Sequence, residues 1–373
     1  MILKNGEDLT EDVLTDFLQL TDEKKIKELH RRAYQEKVKQ VGKKVYFRGI
    51  IEFSNHCQKN CYYCGIRRSN QELTRFEMSR EEIIESARWV HNNGYGSLVL
   101  QSGEIQGEEN ADYIEGIIRE IKEISGGELG ITLSLGEQKK KTYRRWFQAG
   151  AHRYLLRIET SSSDLYERLH PESHKFQDRL ECLKNLQDIG YQTGTGVMIG
   201  LPGQSLSDLA ADLKFFQRQG IDMIGMGPYV PHSGTPLADG DNISPELAER
   251  NLDLSLKMIS LLRILIPDVN IAATTALQAL HPRGREKALK AGANIVMPVV
   301  TPQKYREDYK LYENKPCIDE KAEDCRGCLS SRVKSIGEEI AYGEWGDPPR
   351  YFRRLGSRVD KLGGEIDAEN AAG

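Results

Sequence analysis

The chain has 373 residues, 39% of them hydrophobic and 29% charged, and a net charge of −4. That balance carries no basic bias toward nucleic acid, and no stretch reaches the roughly 18 uninterrupted apolar residues of a membrane span, so neither nucleic-acid nor membrane partners are expected. Met1 to Asp8 lacks the apolar run of a signal peptide, and seven cysteines, an odd number lying in two groups plus Cys182, argue against a disulfide framework and for metal or redox work in a reducing, cytoplasmic setting.

Residues 8 to 40 read as helices ahead of the main body. From about residue 45, short runs rich in Val, Ile, Leu and Thr alternate with longer charged stretches of helical periodicity. The runs are Val45 to Asn55, Ser97 to Ser102, Leu129 to Leu135, Arg153 to Thr160, Gly194 to Gly200, Met223 to Val230, Asn270 to Ala276 and Asn294 to Val300. Strands alternating with helices imply a parallel sheet, and eight of them make a complete (β/α)8 TIM-type barrel of the α/β class. Ser79-Arg80-Glu81-Glu82 has the form of a capping box, and Asn93-Gly94 supplies the stop of the same helix. The order helix, glycine, strand repeats at Ala149-Gly150-Ala151, Ile189-Gly190, Gln219-Gly220 and Ala291-Gly292-Ala293. Gly194-Thr195-Gly196 lacks dinucleotide-binding spacing and reads as strand. The expected division is a helical extension over 1–44, the barrel over 45–300 and a cysteine-containing tail over 301–373, ending in a disordered Ala371-Ala372-Gly373.

Active sites of such barrels lie at the carboxyl-terminal ends of the strands. There, directly after the first strand, stand Cys57, Cys61 and Cys64 with the spacing C-x3-C-x2-C. Thiolates suit iron-sulfur clusters, and a 4Fe-4S cube normally takes four cysteines, so a compact set of three leaves one iron open. A structural zinc would want four ligands. Matching strand ends carry Gln101-Ser102-Gly103-Glu104, Ser134-Leu135-Gly136-Glu137, Arg157-Ile158-Glu159-Thr160, Met198, Thr274-Thr275 and Met297-Pro298.

The triplet, with aromatic Tyr63 before its last cysteine, resembles the signature of the radical S-adenosylmethionine superfamily. Longer segments resemble the HydE family of FeFe-hydrogenase maturases. They are Ile50-Ile51-Glu52-Phe53-Ser54-Asn55, Tyr63-Cys64-Gly65-Ile66-Arg67-Arg68, Leu98 to Glu104, Ile131 to Glu137, Arg153 to Thr160, Met198 to Gln204, Gly227 to His232 and Ala272 to Leu277. The likeness covers roughly residues 45 to 330. It implies a 4Fe-4S cluster on Cys57, Cys61 and Cys64, with S-adenosylmethionine chelating the open iron through its amine and carboxylate. Reductive cleavage then yields a 5'-deoxyadenosyl radical, which a closed barrel shields from water. It further implies that Glu104 lies near the methionine amino group and that Glu159 reaches toward the cofactor, both being carboxylates able to pair with an ammonium, that Arg179 holds the cofactor carboxylate, that Ser134 adds a polar contact, and that the backbone near Tyr63 and Leu201 flanks the adenine.

The same resemblance implies an iron-bound cysteine carbonyl-cyanide substrate, an electron donor such as ferredoxin or flavodoxin, and other hydrogenase maturases as partners. Arg157 shares a strand face with Glu159 and is expected to hold a carboxylate or cyanide-like anion. Thr274 and Thr275 offer hydroxyls, of which strand alternation turns one inward. Tyr305, Tyr309 and Tyr312 are expected to close the barrel floor or mouth. Cys317, Cys325 and Cys328, spaced C-x7-C-x2-C, match an auxiliary site of the family that holds a second cluster of 2Fe-2S or 4Fe-4S type. His56 and His232 read as residues of solvated loops, and Cys182 as an ordinary thiol.

Related enzymes define the alternatives. Methylornithine synthase shares the barrel and the triplet, so a mutase acting on an amino acid such as lysine is the first. Biotin synthase would place cysteines on its strands, whereas Cys182 falls in a helical stretch. A non-catalytic iron-sulfur carrier or scaffold would use both cysteine groups and have no need of Glu159 or Arg179.

Overall fold

The structure is a computed structural model that describes residues 9–238 and 243–356. The readings of Met1 to Asp8 and of Ala371 to Gly373 lie outside these residues. In chain order the strands are β1 (Lys44–Ser54), β2 (Ser97–Ser102), β3 (Gly130–Ser134), β4 (Arg153–Leu155), β5 (Gln192–Thr195), β6 (Met198–Ile199), β7 (Met223–Ile224), β8 (Gly227–Pro228), β9 (Asn270–Ile271), β10 (Ile295–Val296) and β11 (Glu339–Ile340).

All strand pairings are parallel, in the order β10-β1-β2-β3-β4-β5-β7-β9. The ring closes between β9 and β10 through the Ala272–Ile295 bridge, with Ala273 N donating to Ile295 O at 2.8 Å and Asn294 N to Ile271 O at 2.9 Å. This is the expected eight-stranded barrel. β6 and β8 pair with each other as outward continuations of β5 and β7, and β11 adds to the amino-terminal end of β1.

Helix signals read from the sequence are met. Ser79 and Glu82 form a reciprocal capping box at the start of Arg80–Asn92, and Gly150 and Gly190 terminate their helices in the left-handed conformation. The later strands are shorter than their sequence runs. Past Leu155 the ladder gives way because Thr195 Oγ1 takes the N–H of Ile158 at 3.0 Å, and Glu159 turns the chain with φ 65°.

Alternate strand residues face the barrel axis, and they stack in layers of contrasting polarity. A middle layer of Ile50, Val99 and Val299, with Met297 against it, is apolar. Beneath it the amino-terminal end is plugged by Trp345 to Asp347. Arg48 and Asn270 donate to Gly346 O at 3.3 and 2.7 Å, and Arg153 donates to Trp345 O at 2.7 Å and pairs with Asp347. The floor is therefore closed by the buried side chains of Arg48, Arg153 and Asn270 against the half-buried Trp345 to Asp347, and the cavity lies above the middle layer.

Helices Glu11–Leu18 and Glu23–Val41 pack outside the barrel against Leu206–Arg218 and Pro245–Leu265. A buried Lys37–Glu338 ion pair of 2.7 Å ties the second of them to the tail. The first part of the tail crosses the barrel mouth. Buried Arg306 anchors it by donating to Val299 O, Thr301 O, Cys317 O and Glu320 O.

Candidate active site at the barrel mouth

The loop after β1 is held by backbone satisfaction rather than by regular structure. Asn55 reaches Thr74 O at 2.8 Å and Asp308 O at 2.7 Å, while Arg75 donates to Asn55 O, Ile66 O and Arg67 O at 2.6 to 2.9 Å. Two glycines permit the approach of neighbouring chain. A Cβ on Gly103 would sit 2.2 Å from His56 O and 2.7 Å from Cys57 Cβ, and one on Gly65 would sit 2.2 Å from Lys310 O. The loop is thus clamped between the turn after β2 and the tail, with Gln58 N on Glu104 O at 2.8 Å and Gly65 N on Leu311 O at 3.0 Å.

A cavity of about 350 Å³ opens at this end. Cys57, Cys61 and Cys64 line it together with Tyr63, Glu104, Ser134, Arg157, Glu159, Arg179, Thr274 and Thr275. All three cysteines are free thiols. Burial pushes each thiol up, Cys61 to about 12, so they give up their protons only to a cation that takes their place. Glu104 N points at Cys57 Sγ from 3.4 Å.

Beside the thiols lies a network of four charges. Glu137 accepts from Arg179 Nε at 2.5 Å and from Lys59 Nζ at 2.6 Å, and Lys59 also approaches Glu104 at 3.4 Å. Burial would raise the Glu137 carboxyl, but Arg179 and Lys59 outweigh it and hold it at about 2. Burial pushes Glu104 up against the pull of Lys59. Arg179 spends Nε on Glu137 and Nη1 on Arg157 O, and Nη2 is engaged by none of the described residues. Arg157 sets Nε against both oxygens of Glu159 at 3.0 Å and Nη2 on Val197 O at 3.0 Å. Glu159 is one of three non-glycine residues with positive φ among those described, a strain that commonly marks functional sites.

Tyr63 forms the polar edge of a separate apolar cluster of Leu165, Leu169, Met198, Leu201 and Tyr229. Burial holds His170 neutral, its pKa lowered to about 3. With its Nδ1–H given to Tyr166 O at 2.8 Å, Nε2 accepts from Tyr63 OH at 3.4 Å. The apolar cluster fits the flat face of an adenine, and the hydrogen bond fixes the ring beside the cysteines.

Three expectations are corrected. Thr274 and Thr275 both line the cavity, because β9 ends at Ile271 and Thr274 caps the helix Thr275–Leu280, so strand alternation no longer applies. His232 is buried, with Gly65 packed on its ring, whereas His56 is exposed as expected. Tyr309 and Tyr312 line the mouth, but Tyr305 stacks on Phe76 and donates to Glu82 outside it.

The Radical SAM superfamily family model matches residues 51–216, the span that carries the triplet, Glu104, Glu159 and Arg179. The chain is 43% identical over 348 residues to the [FeFe] hydrogenase maturase subunit HydE of Thermotoga maritima, covering 93% of this chain and 96% of that one. The chain belongs to the HydE family of radical SAM enzymes. It is also 27% identical to 3-methylornithine synthase of Methanosarcina acetivorans, over 90% of this chain and 91% of that one. The crystal structure of methylornithine synthase superposes with a TM-score of 0.77 at 25% identity, covering 91% of this chain and 96% of that one.

Membership implies a 4Fe-4S cluster and S-adenosylmethionine, and this HydE-family site fits them. Three soft donors face one cavity, and the neighbouring carboxylates and a guanidinium match an ammonium and a carboxylate. Sequence reasoning missed Lys59, Glu52 and Lys315, and named Glu137 only as a polar strand end without a role. Glu137 closes the charge network, and Lys315 Nζ binds both oxygens of Glu52 at 2.7 Å inside the cavity. A carboxylate within the apolar run of β1 was a readable signal for Glu52. Lys315 had none, because the tail meets the barrel only in the folded chain.

The second cysteine group is gathered in part. Cys317, Glu320 and Cys325 place their ligand atoms within 4.8 Å of one another, and Arg285 Nη2 stands 3.6 Å from Cys317 Sγ. Cys328 follows one turn later on the helix Ala322–Ser335 and is exposed. Cys182 lies on the helix Phe176–Ile189, partly buried against Gln138 O.

Proposed function

We propose that this enzyme performs the HydE reaction in FeFe-hydrogenase maturation, acting on an organometallic iron-cysteine precursor bound in the barrel. The observation that carries the reading is the meeting of Cys57, Cys61 and Cys64 with Glu104, Glu159 and Arg179 on the wall of one cavity whose far end is closed. When bound, the 4Fe-4S cluster and S-adenosylmethionine supply one-electron cleavage of a sulfonium carbon-sulfur bond to a 5'-deoxyadenosyl radical. Cys57, Cys61 and Cys64 would hold the cluster. Arg179, aimed by Glu137 and Arg157 O, would present Nη2 to the cofactor carboxylate, with Glu104, Glu159 and Ser134 around its ammonium and Tyr63 beside its adenine. Arg157, Thr274 and Thr275 would receive the substrate's anionic groups. Ferredoxin or flavodoxin would deliver the electron, and other maturases would supply and take the metal complex. Cys317, Cys325 and Cys328 would bind a second iron-sulfur cluster, with Glu320 close enough to Cys317 and Cys325 to join the ligand set.

The test is anaerobic reconstitution, reduction in the presence of S-adenosylmethionine, and measurement of 5'-deoxyadenosine. Cys61→Ala should abolish its formation, whereas Cys325→Ala should spare most of it. Transfer of intact clusters to an acceptor with no 5'-deoxyadenosine would establish a carrier instead. The methylornithine synthase fold match keeps a mutase in view, and turnover of lysine in place of the iron-cysteine complex would select it.

A further inference from the structure

The cavity contains one ion pair that the cluster, the cofactor and the anion contacts above leave unexplained. Glu52 projects from β1 on the face of Ile50, in register with Gln101 on β2. It therefore stands directly above the apolar middle layer. Lys315 comes from the tail, 263 residues away. Both side chains are buried, 4% and 7% exposed, and both line the cavity.

The hydrogen-bond inventory of the pair is unequal. The Lys315 ammonium has three N–H groups, which go to Glu52 Oε1 and Oε2, each at 2.7 Å, and to Tyr309 O at 2.8 Å. The lysine has nothing left to give. A carboxylate offers about four acceptor positions, and only Lys315 donates to this one among the described residues. Its unspent lone pairs belong to the cavity. A buried ion pair of this kind is weak evidence for stability, since apolar residues of equal volume commonly do as well or better. Across the same cavity Arg157 has Nη1 without a partner among the described residues, its other nitrogens being held by Glu159 and Val197 O.

We propose that Glu52, aimed by Lys315, is the receptor for the α-ammonium group of an amino-acid substrate whose carboxylate lies on Arg157. This rests on the radical-enzyme reading and narrows it. The substrate class is a zwitterionic α-amino acid or a complex built on one with its amine free to protonate, and the tail takes part in recognition through Lys315. Glu52 is a binding residue, and Lys315 is a positioning residue that acts through it.

The experiment uses the reconstituted, reduced holoenzyme with S-adenosylmethionine and three probes: S-methyl-L-cysteine, its des-amino analogue 3-(methylthio)propionate, and its des-carboxy analogue 2-(methylthio)ethylamine. Binding is followed by calorimetry and by the cluster's electron paramagnetic resonance signal. Wild-type protein should prefer S-methyl-L-cysteine over 3-(methylthio)propionate by tenfold or more, the range of a hydrogen bond to a charged group. Glu52→Gln should cut that preference to within about threefold while leaving the preference over 2-(methylthio)ethylamine in place. Lys315→Arg should retain discrimination and Lys315→Met should weaken it. Thermal melts of each variant separate lost recognition from lost fold. If folded Glu52→Gln discriminates between the amino and des-amino probes as wild type does, or if wild type does not discriminate at all, the assignment is overturned. Failure of wild type to form 5'-deoxyadenosine would instead remove the proposed function beneath it.

Discussion

Glu137 makes two short ion pairs, and Glu137→Gln removes the charge on which both depend while keeping the size of the side chain. The carboxyl is held at about 2 against an ordinary value of 4.5, a difference that corresponds to about 3 kcal/mol. Its side chain is only 9% exposed, so solvent screening takes little from that figure. Stranding Arg179 and Lys59 in a buried site gives a loss of similar size, about 3 kcal/mol or more. Because the folded-state value is depressed, the contribution is fully present above the unfolded value near 4.5 and is lost as pH falls from there toward 2. Urea unfolding of the apoprotein at pH 7 should show Glu137→Gln destabilised by about 3 kcal/mol, with the gap to wild type narrowing below pH 4.5. A second readout is the affinity for S-adenosylmethionine of the reconstituted protein, which should fall because Arg179 loses the partner that aims it. A variant within 0.5 kcal/mol of wild type at pH 7, or a gap that widens on acidification, would refute the reasoning.

Gly103→Ala would drive a methyl group to 2.2 Å from His56 O; displacement of the cysteine loop should reduce iron content after reconstitution while circular dichroism stays near wild type. Arg306→Ala strips a charged donor from four backbone carbonyls, and a loss of about 3 kcal/mol with faster proteolysis in the 301–330 segment is expected. Asp212 is fully buried and pushed up to about 7, chiefly by burial, with Oδ2 unpartnered among the described residues and Oδ1 on Ser161 N at 2.6 Å. A carboxyl raised in this way favours folding while protonated and costs stability as pH rises from 3.8 to 7. Asp212→Asn should therefore gain about 2 to 3 kcal/mol relative to wild type between pH 5 and pH 8, read from urea midpoints.

The barrel was legible because its signals are local. Runs such as Ser97 to Ser102 and stops such as Gly150 and Gly190 each declare a strand or a helix end without reference to the rest of the chain. The triplet and the polar strand ends were legible for the same reason. What escaped was tertiary pairing: Lys59 with Glu137, 78 residues apart, and Glu52 with Lys315. The expectation that only one of Thr274 and Thr275 faces inward failed because strand alternation was extended beyond the end of β9, and that of a solvated His232 because its neighbour Gly65 is distant in sequence. The run Arg153 to Thr160 reads as continuous strand, but the regular strand ends at Leu155 and pairing resumes only as the isolated Glu159–Val197 bridge, where Glu159 has positive φ.

The plug of Trp345 to Asp347 turns the barrel into a blind-ended vessel. Glu52 and the three cysteines line the same space, which is closed from below. The tail supplies part of the chamber's wall through Leu311, Tyr312 and Lys315, so a segment that follows the last barrel strand in sequence bounds the space the strands enclose.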